Sequence, residues 1–125
     1  MPHKKINIPK EEQLEALSRG LPEFYQLLES YVGDLNLAGD IRLYVSITKK
    51  ELADYLRNKT KLMEKHLFKG DSPRFHEQPI LEYNGKKYIV YEMDHEEPWD
   101  ITEYEDFAEA TAEYLLYNLE RPVKD

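Results

Sequence analysis

The stretch 79–93, PILEYNGKKYIVYEM, decides how the rest of this chain must be arranged. Two short runs rich in large apolar and aromatic residues flank Asn84-Gly85, and an Asn-Gly pair in that setting is a strong β-hairpin signal. A two-residue turn at Asn84-Gly85 predicts that Tyr83 pairs with Lys86, Glu82 with Lys87, Leu81 with Tyr88, and Ile80 with Ile89. Glu82 opposite Lys87 would add a favourable cross-strand pair of about 0.2–1 kcal/mol. So short a hairpin does not stand alone in water; a third strand or a helix must cover it.

Working upstream, IRLYVSI (41–47) places Ile41, Leu43, Val45 and Ile47 on one face and is the expected third strand. Thr48, with Glu51 three residues later, forms a capping-box signature that opens a helix over 49–67. Its buried face reads Leu52, Tyr55, Leu56, Leu62, Met63 and Leu67, interrupted by Lys59, and its outer face reads Lys49, Lys50, Arg57, Lys61 and Lys65. Farther back, 10–19 is a short helix with Leu14 and Leu17 inward, closed by Gly20. Pro22 suits the first turn of a second helix, whose stripe is Leu21, Phe24, Tyr25, Leu28, Tyr31, Val32 and Leu35. Residues 1–9 read as a flexible arm whose Ile6 and Ile8 either supply an edge strand or pack on the first helix.

Downstream comes DHEEPWDITEYEDF (94–107), where Pro98 argues for a loop rather than a regular central strand. Asp100 or Thr102 would cap the last helix, Thr102 with Glu105 as a second capping box. That helix has Tyr104, Phe107, Ala108, Thr111, Leu115 and Leu119 inward. The expectation is one α+β domain over 1–125: a small, mostly antiparallel sheet of three or four strands, packed against about four helices.

The 125 residues, 41% hydrophobic and 12% aromatic, are enough for one packed core. There is no cysteine, which removes disulfides, thiol nucleophiles and thiolate metal sites together. No apolar run approaches the roughly 20 residues that cross a bilayer, and MPHKKINIPKEE lacks the apolar centre of a secretory signal. A cytoplasmic protein with no membrane partner is expected. The net charge of −8 is segregated: residues 88–120 hold eleven acidic side chains and no Lys or Arg. The rest of the chain has fourteen acidic and seventeen basic residues, a net of +3. A segregated field steers a basic partner, which a uniform one does not do.

Motifs for chemistry are sparse. The four histidines (His3, His66, His76 and His95) have no helical metal-ligand spacing. His95, among Asp94, Glu96 and Glu97, is the one cluster resembling a hard-metal or acid–base site, and it supports an alternative reading as a metal-dependent hydrolase. No serine sits in a G-x-S-x-G turn, and five glycines make no phosphate loop. The basic 49–67 face reads as a solvated helix surface rather than a nucleic-acid stripe, since its own acids lie close by. Trp99, with Tyr91 and Tyr104 among carboxylates, is either an aromatic anchor for a basic protein or a plug under the sheet.

Ile80-Leu81-Glu82-Tyr83, the tight turn, Tyr88-Ile89-Val90-Tyr91-Glu92, and Thr102 opening a helix through Phe107 and Tyr114 resemble the immunity protein 63 family. Such families neutralise polymorphic or contact-dependent bacterial toxins. The resemblance covers 79–116, about a third of the chain, and Met93-Asp94 stand where the family pattern has Arg-Gly. It implies toxin binding and carries over no catalytic residue.

The resulting expectation is a non-enzymatic binding protein without cofactor or metal, monomeric or weakly dimeric, with no direct nucleic-acid contact. Its partner would be a cognate, basic, nuclease-like toxin domain, bound through Glu92, Asp94, Glu96, Glu97, Trp99, Asp100, Glu103, Tyr104 and Asp106. A phage or plasmid accessory or assembly protein is the second alternative. Internal pairing of the acidic segment with the basic 49–67 face is a further reading of the same charges.

Overall fold

The computed structural model describes residues 7–34, 44–68, 79–94 and 97–120. In chain order these form α1 (Lys10–Arg19), α2 (Leu21–Val32), α3 (Lys49–Leu56), α4 (Thr60–Glu64), β1 (Pro79–Tyr83), β2 (Tyr88–Asp94), β3 (Glu97–Tyr104) and α5 (Phe107–Glu120). The class is α+β, with a three-stranded antiparallel sheet packed against helices.

Local chemistry accounts for the first helices. Glu11 and Glu12 in the first turn of α1 and Arg19 in its last complement the helix dipole. Gly20, at φ 136°, turns the chain directly into α2, and its N–H donates to Leu17 O at 3.0 Å. A side chain at that angle would be strained. Phe24 and Leu28 are the buried stripe of α2, which ends at Val32; Leu35 lies outside the described residues. Ile8 is buried in the main core beside α1, while Ile6 lies outside the described residues.

The capping box forms as read. Glu51 N–H donates to Thr48 Oγ1 at 3.1 Å, and Thr48 N–H donates to the Glu51 carboxylate at 2.9 Å. The single helix expected over 49–67 is instead two, α3 and α4, separated at residues 57–59. A continuous helix would place Lys59 on the buried line of Leu52, Leu56 and Met63. The chain breaks there, and the ammonium turns back to donate to Tyr55 O at 3.1 Å, lying 4.0 Å from the Tyr55 ring centroid.

Two expectations about the sheet need correction. The third strand is β3, which pairs with β2, and not 41–47. Residues 41–43 lie outside the described set; Tyr44 to Ile47 form no strand, and Ile47 is buried among helices. Pro98 does not prevent β3, because β3 is an edge strand and an edge tolerates a missing N–H.

The second correction concerns register. Tyr83 pairs with Tyr88, Leu81 with Val90 and Ile80 with Tyr91, so the two-residue Asn84-Gly85 turn does not form. Asn84 N–H donates to Lys87 O at 3.1 Å, which centres the turn on Gly85-Lys86. Gly85, at φ 94°, takes the first central position, where a hairpin turn calls for positive φ. The Asn84 side-chain oxygen accepts from Lys86 N–H at 2.9 Å and Lys87 N–H at 2.8 Å. The register shift moves each pairing by two residues, so every side chain keeps its face.

Helix α5 joins the two halves of the core. Ala108, Ala112, Leu115 and Leu119 pack into the main cluster with Leu17, Phe24, Leu28, Leu52, Leu56 and Met63. On another face, Ala110 packs against Leu81 and Val90 of the sheet. Tyr88 stacks flat on Phe107 with ring centroids 4.4 Å apart. The cap of α5 is also a correction: Asp106 accepts from Ala108 N–H at 3.2 Å, while Asp100, Thr102 and Tyr104 all lie in β3.

Candidate functional site

Eight of the nine residues expected to bind a partner fall on the end of β2, on β3 and just beyond it. Their surroundings divide them. Glu92 is buried at 3% exposure in β2 and offers no accessible charge, which removes it from an accessible binding set. Asp94 pairs with Glu97 across the β2–β3 ladder. Glu96, and His95 of the hydrolase reading, lie outside the described residues.

Three others are tied into the fold. Tyr104 Oη lies 2.6 Å from Lys49 Nζ, which donates to it, and the phenol itself donates to Glu113 at 2.8 Å. Lys49 and Glu113 pair directly at 3.1 Å, and the ammonium lies 4.3 Å from the Tyr104 ring centroid. Asp106 pairs with Arg57, which also pairs with Asp54 at 2.9 Å. Asp100 accepts from Tyr117 Oη at 3.0 Å. Internal pairing with the basic helix therefore holds for Tyr104 and Asp106.

Burial, opposed by Lys49 and helped by Glu113, raises the Tyr104 pKa above its ordinary value. Burial works to lower Lys49, but its bonds to Tyr104 and Glu113 outweigh that and hold its pKa above the ordinary value. Both groups move away from neutrality, the opposite of what acid–base work near pH 7 calls for. The cluster reads as a lock among α3, β3 and α5. Tyr104→Phe, which keeps the ring and the Lys49–Glu113 pair, is expected to cost about 1 kcal/mol in a urea titration.

Glu97, Trp99 and Glu103 remain as exposed members of β3. Ile101, which sequence reasoning passed over, is exposed by 53%, and Trp99 by 44%. The alternation of Ile-Thr-Glu-Tyr was the signal for it, hidden by the loop reading of Pro98. Between Val90↔Thr102 and Glu92↔Trp99, Asp100 and Ile101 together oppose Tyr91, so β3 carries a bulge. Asp100 holds φ 55°, the left-handed region that Asp tolerates better than most residues. Its bond to Tyr117 of α5 pins the bulge.

The basic face of α3 borders a concavity of about 570 Å³ lined by Lys49, Lys50, Ala53, Asp54, Arg57 and Glu109. Lys49 and Arg57 already have carboxylate partners there. Among the described residues no group of three or more His, Asp or Glu is placed to hold a metal ion. Among them, too, no helix is long and apolar enough to cross a membrane.

Away from β3, His66 is wedged between α1 and α5. Its Nε2 donates to Ser18 O at 2.7 Å, and its ring centroid lies 5.9 Å from that of Tyr114. Burial pushes its pKa below 6.5, with Lys65 acting the same way and the Ser18 carbonyl and Glu23 opposing. The unfolded chain therefore takes up this proton first. Stability from His66 is complete above pH 6.5 and declines as pH falls through the lower folded value. His66→Gln is expected to flatten the pH dependence of the urea midpoint between about pH 7 and 5.

No family model, curated protein or solved structure matches this chain.

Proposed function

We propose that this chain is a non-enzymatic binding protein that captures a basic protein through β3, in the manner of an immunity protein neutralising a nuclease-like toxin domain. The observation that carries this reading is the edge strand β3: Glu97, Trp99, Asp100, Ile101 and Glu103 are all exposed along it, and the strand has no Lys or Arg. Nucleases are basic because they hold phosphates, so a complementary inhibitor gains association rate and specificity from carboxylates. Exposed Trp and Ile provide apolar area at the centre of such a contact. The resemblance of 79–116 to the immunity protein 63 family points the same way.

Within that set, Glu97, Trp99, Ile101 and Glu103 make contact, and Asp100, Tyr104 and Asp106 hold β3 in place. The test is protection of growth. The C-terminal domain of the protein encoded immediately upstream should arrest a host, and co-expression of this chain should restore it. Glu97→Lys with Glu103→Lys should lose that protection at an unchanged protein level. Failure of the wild-type chain to protect, with arrest established, would remove the reading.

A further inference from the structure

We infer that the partner adds a fourth strand to the sheet: an extended, cationic segment of the captured protein pairs with residues 101–104 along the outer edge of β3. This rests on the proposed capture of a basic protein and specifies how it is held.

The two edges of the sheet differ. At β1, Leu67 bridges Leu81 in parallel, and Phe68 N–H donates to Leu81 O at 2.7 Å, so that edge is occupied at its centre. Beyond β3, among the described residues, no strand or bridge follows. An edge strand directs alternate N–H and C=O groups outward, and another chain can extend that ladder.

The first half of β3 is a poor template. Pro98 has no N–H, and the bulge at Asp100 turns the strand. Residues 102–104 have neither defect and pair regularly with β2 from Val90 to Tyr88, and Ile101, the second residue of the bulge, leads into that run. Charge then selects the occupant. β3 carries Glu97, Asp100 and Glu103, with Glu105 next, and no cation. A second copy joined through the same edge would set these carboxylates against one another, which is destabilising. A cationic strand meets Glu103 with opposite charge. Ile101, two residues away on the same face, meets an apolar neighbour two residues along that strand.

The test uses the full chain, isotopically labelled, and the nonapeptide Lys-Thr-Val-Thr-Lys-Thr-Val-Thr-Lys as probe. On one face this peptide alternates Lys with Val, matching Glu103 and Ile101. Binding at low salt is expected to shift the amides of 101–104 and to slow exchange of the alternate, outward-directed N–H groups among them about ten-fold or more. Replacing both valines by proline keeps the charge and prevents strand pairing, and affinity is expected to fall about ten-fold. Equal binding of the proline peptide, with the same shifts, would overturn strand addition while leaving capture through β3 charges standing. No response of β3 to the Lys-Thr-Val peptide would overturn strand addition, and loss of growth protection is what separately overturns the capture reading.

Discussion

Replacing Gln13 by leucine is expected to lower the free energy of unfolding by about 3 kcal/mol. Gln13 is almost fully buried, at 1% exposure, and its side-chain amide is bonded on both atoms. Nε2 donates to Ile8 O at 2.8 Å and to Ser46 Oγ at 2.9 Å, and Oε1 accepts from Ser46 N–H at 3.0 Å. One side chain thus ties the segment before α1 to the segment before α3. Leucine fills similar volume but strands the buried Ile8 carbonyl, which costs about 1–3 kcal/mol without a partner, and removes two bonds to the exposed Ser46, each of about 0.5–1.5 kcal/mol. The urea midpoint should fall with an unchanged slope. Ser46→Ala, which removes only the hydroxyl contact, should cost about 1 kcal/mol. A Gln13→Leu loss no larger than that of Ser46→Ala would refute the clamp.

A comparable loss is expected from Ala110→Leu, about 3 kcal/mol, the upper part of the usual range for overpacking. Ala110 is fully buried where α5 meets Leu81 of β1 and Val90 of β2. The helix cannot retreat freely, because Ala108 and Ala112 hold it against the main core. Extra carbons at position 110 must therefore displace the sheet. Since α5 also fixes β3 through Glu113 and Tyr117, amide shifts in the variant should reach Asp100 and Tyr104 as well as Leu81 and Val90. The control lies one position earlier: Glu109→Leu, on the exposed side of α5, should leave the unfolding free energy within about 0.5 kcal/mol of the parent.

What was legible in the sequence was local. The Thr48–Glu51 capping box, the Gly20-Pro22 junction and the Phe24–Leu28 stripe each involve residues within four positions, and the structure contains all three. The hairpin register departs from a two-residue Asn-Gly turn because Asn84 uses its side chain to hold Lys86 and Lys87, which moves glycine to the first central position. The strand β3 was concealed by Pro98, whose meaning depends on whether a strand is central or at an edge. That is a property of the sheet and is not written in the segment.

The same division runs through the candidate site. Glu97 and Glu103 are exposed as the charge pattern implied, and Trp99, which the sequence left open between an anchor and a plug under the sheet, is exposed as well. Tyr104 and Asp106 are held by Lys49 and Arg57, 55 and 49 residues away, and local pattern says nothing of such partners. Asp100 became a bulge residue bonded to α5. The segregated acidity therefore has two parts, one locking the sheet to its helices and one facing outward along β3.

The outward part is the central claim, and association kinetics test it most directly. The rate constant for binding the proposed partner, a basic growth-arresting domain, should fall about ten-fold or more between roughly 50 and 300 mM salt, since exposed charges are screened over that range. Glu97→Lys with Glu103→Lys should be slow at both salt concentrations and nearly indifferent to the change. A wild-type rate that ignores both salt and the charge reversal would contradict capture through β3.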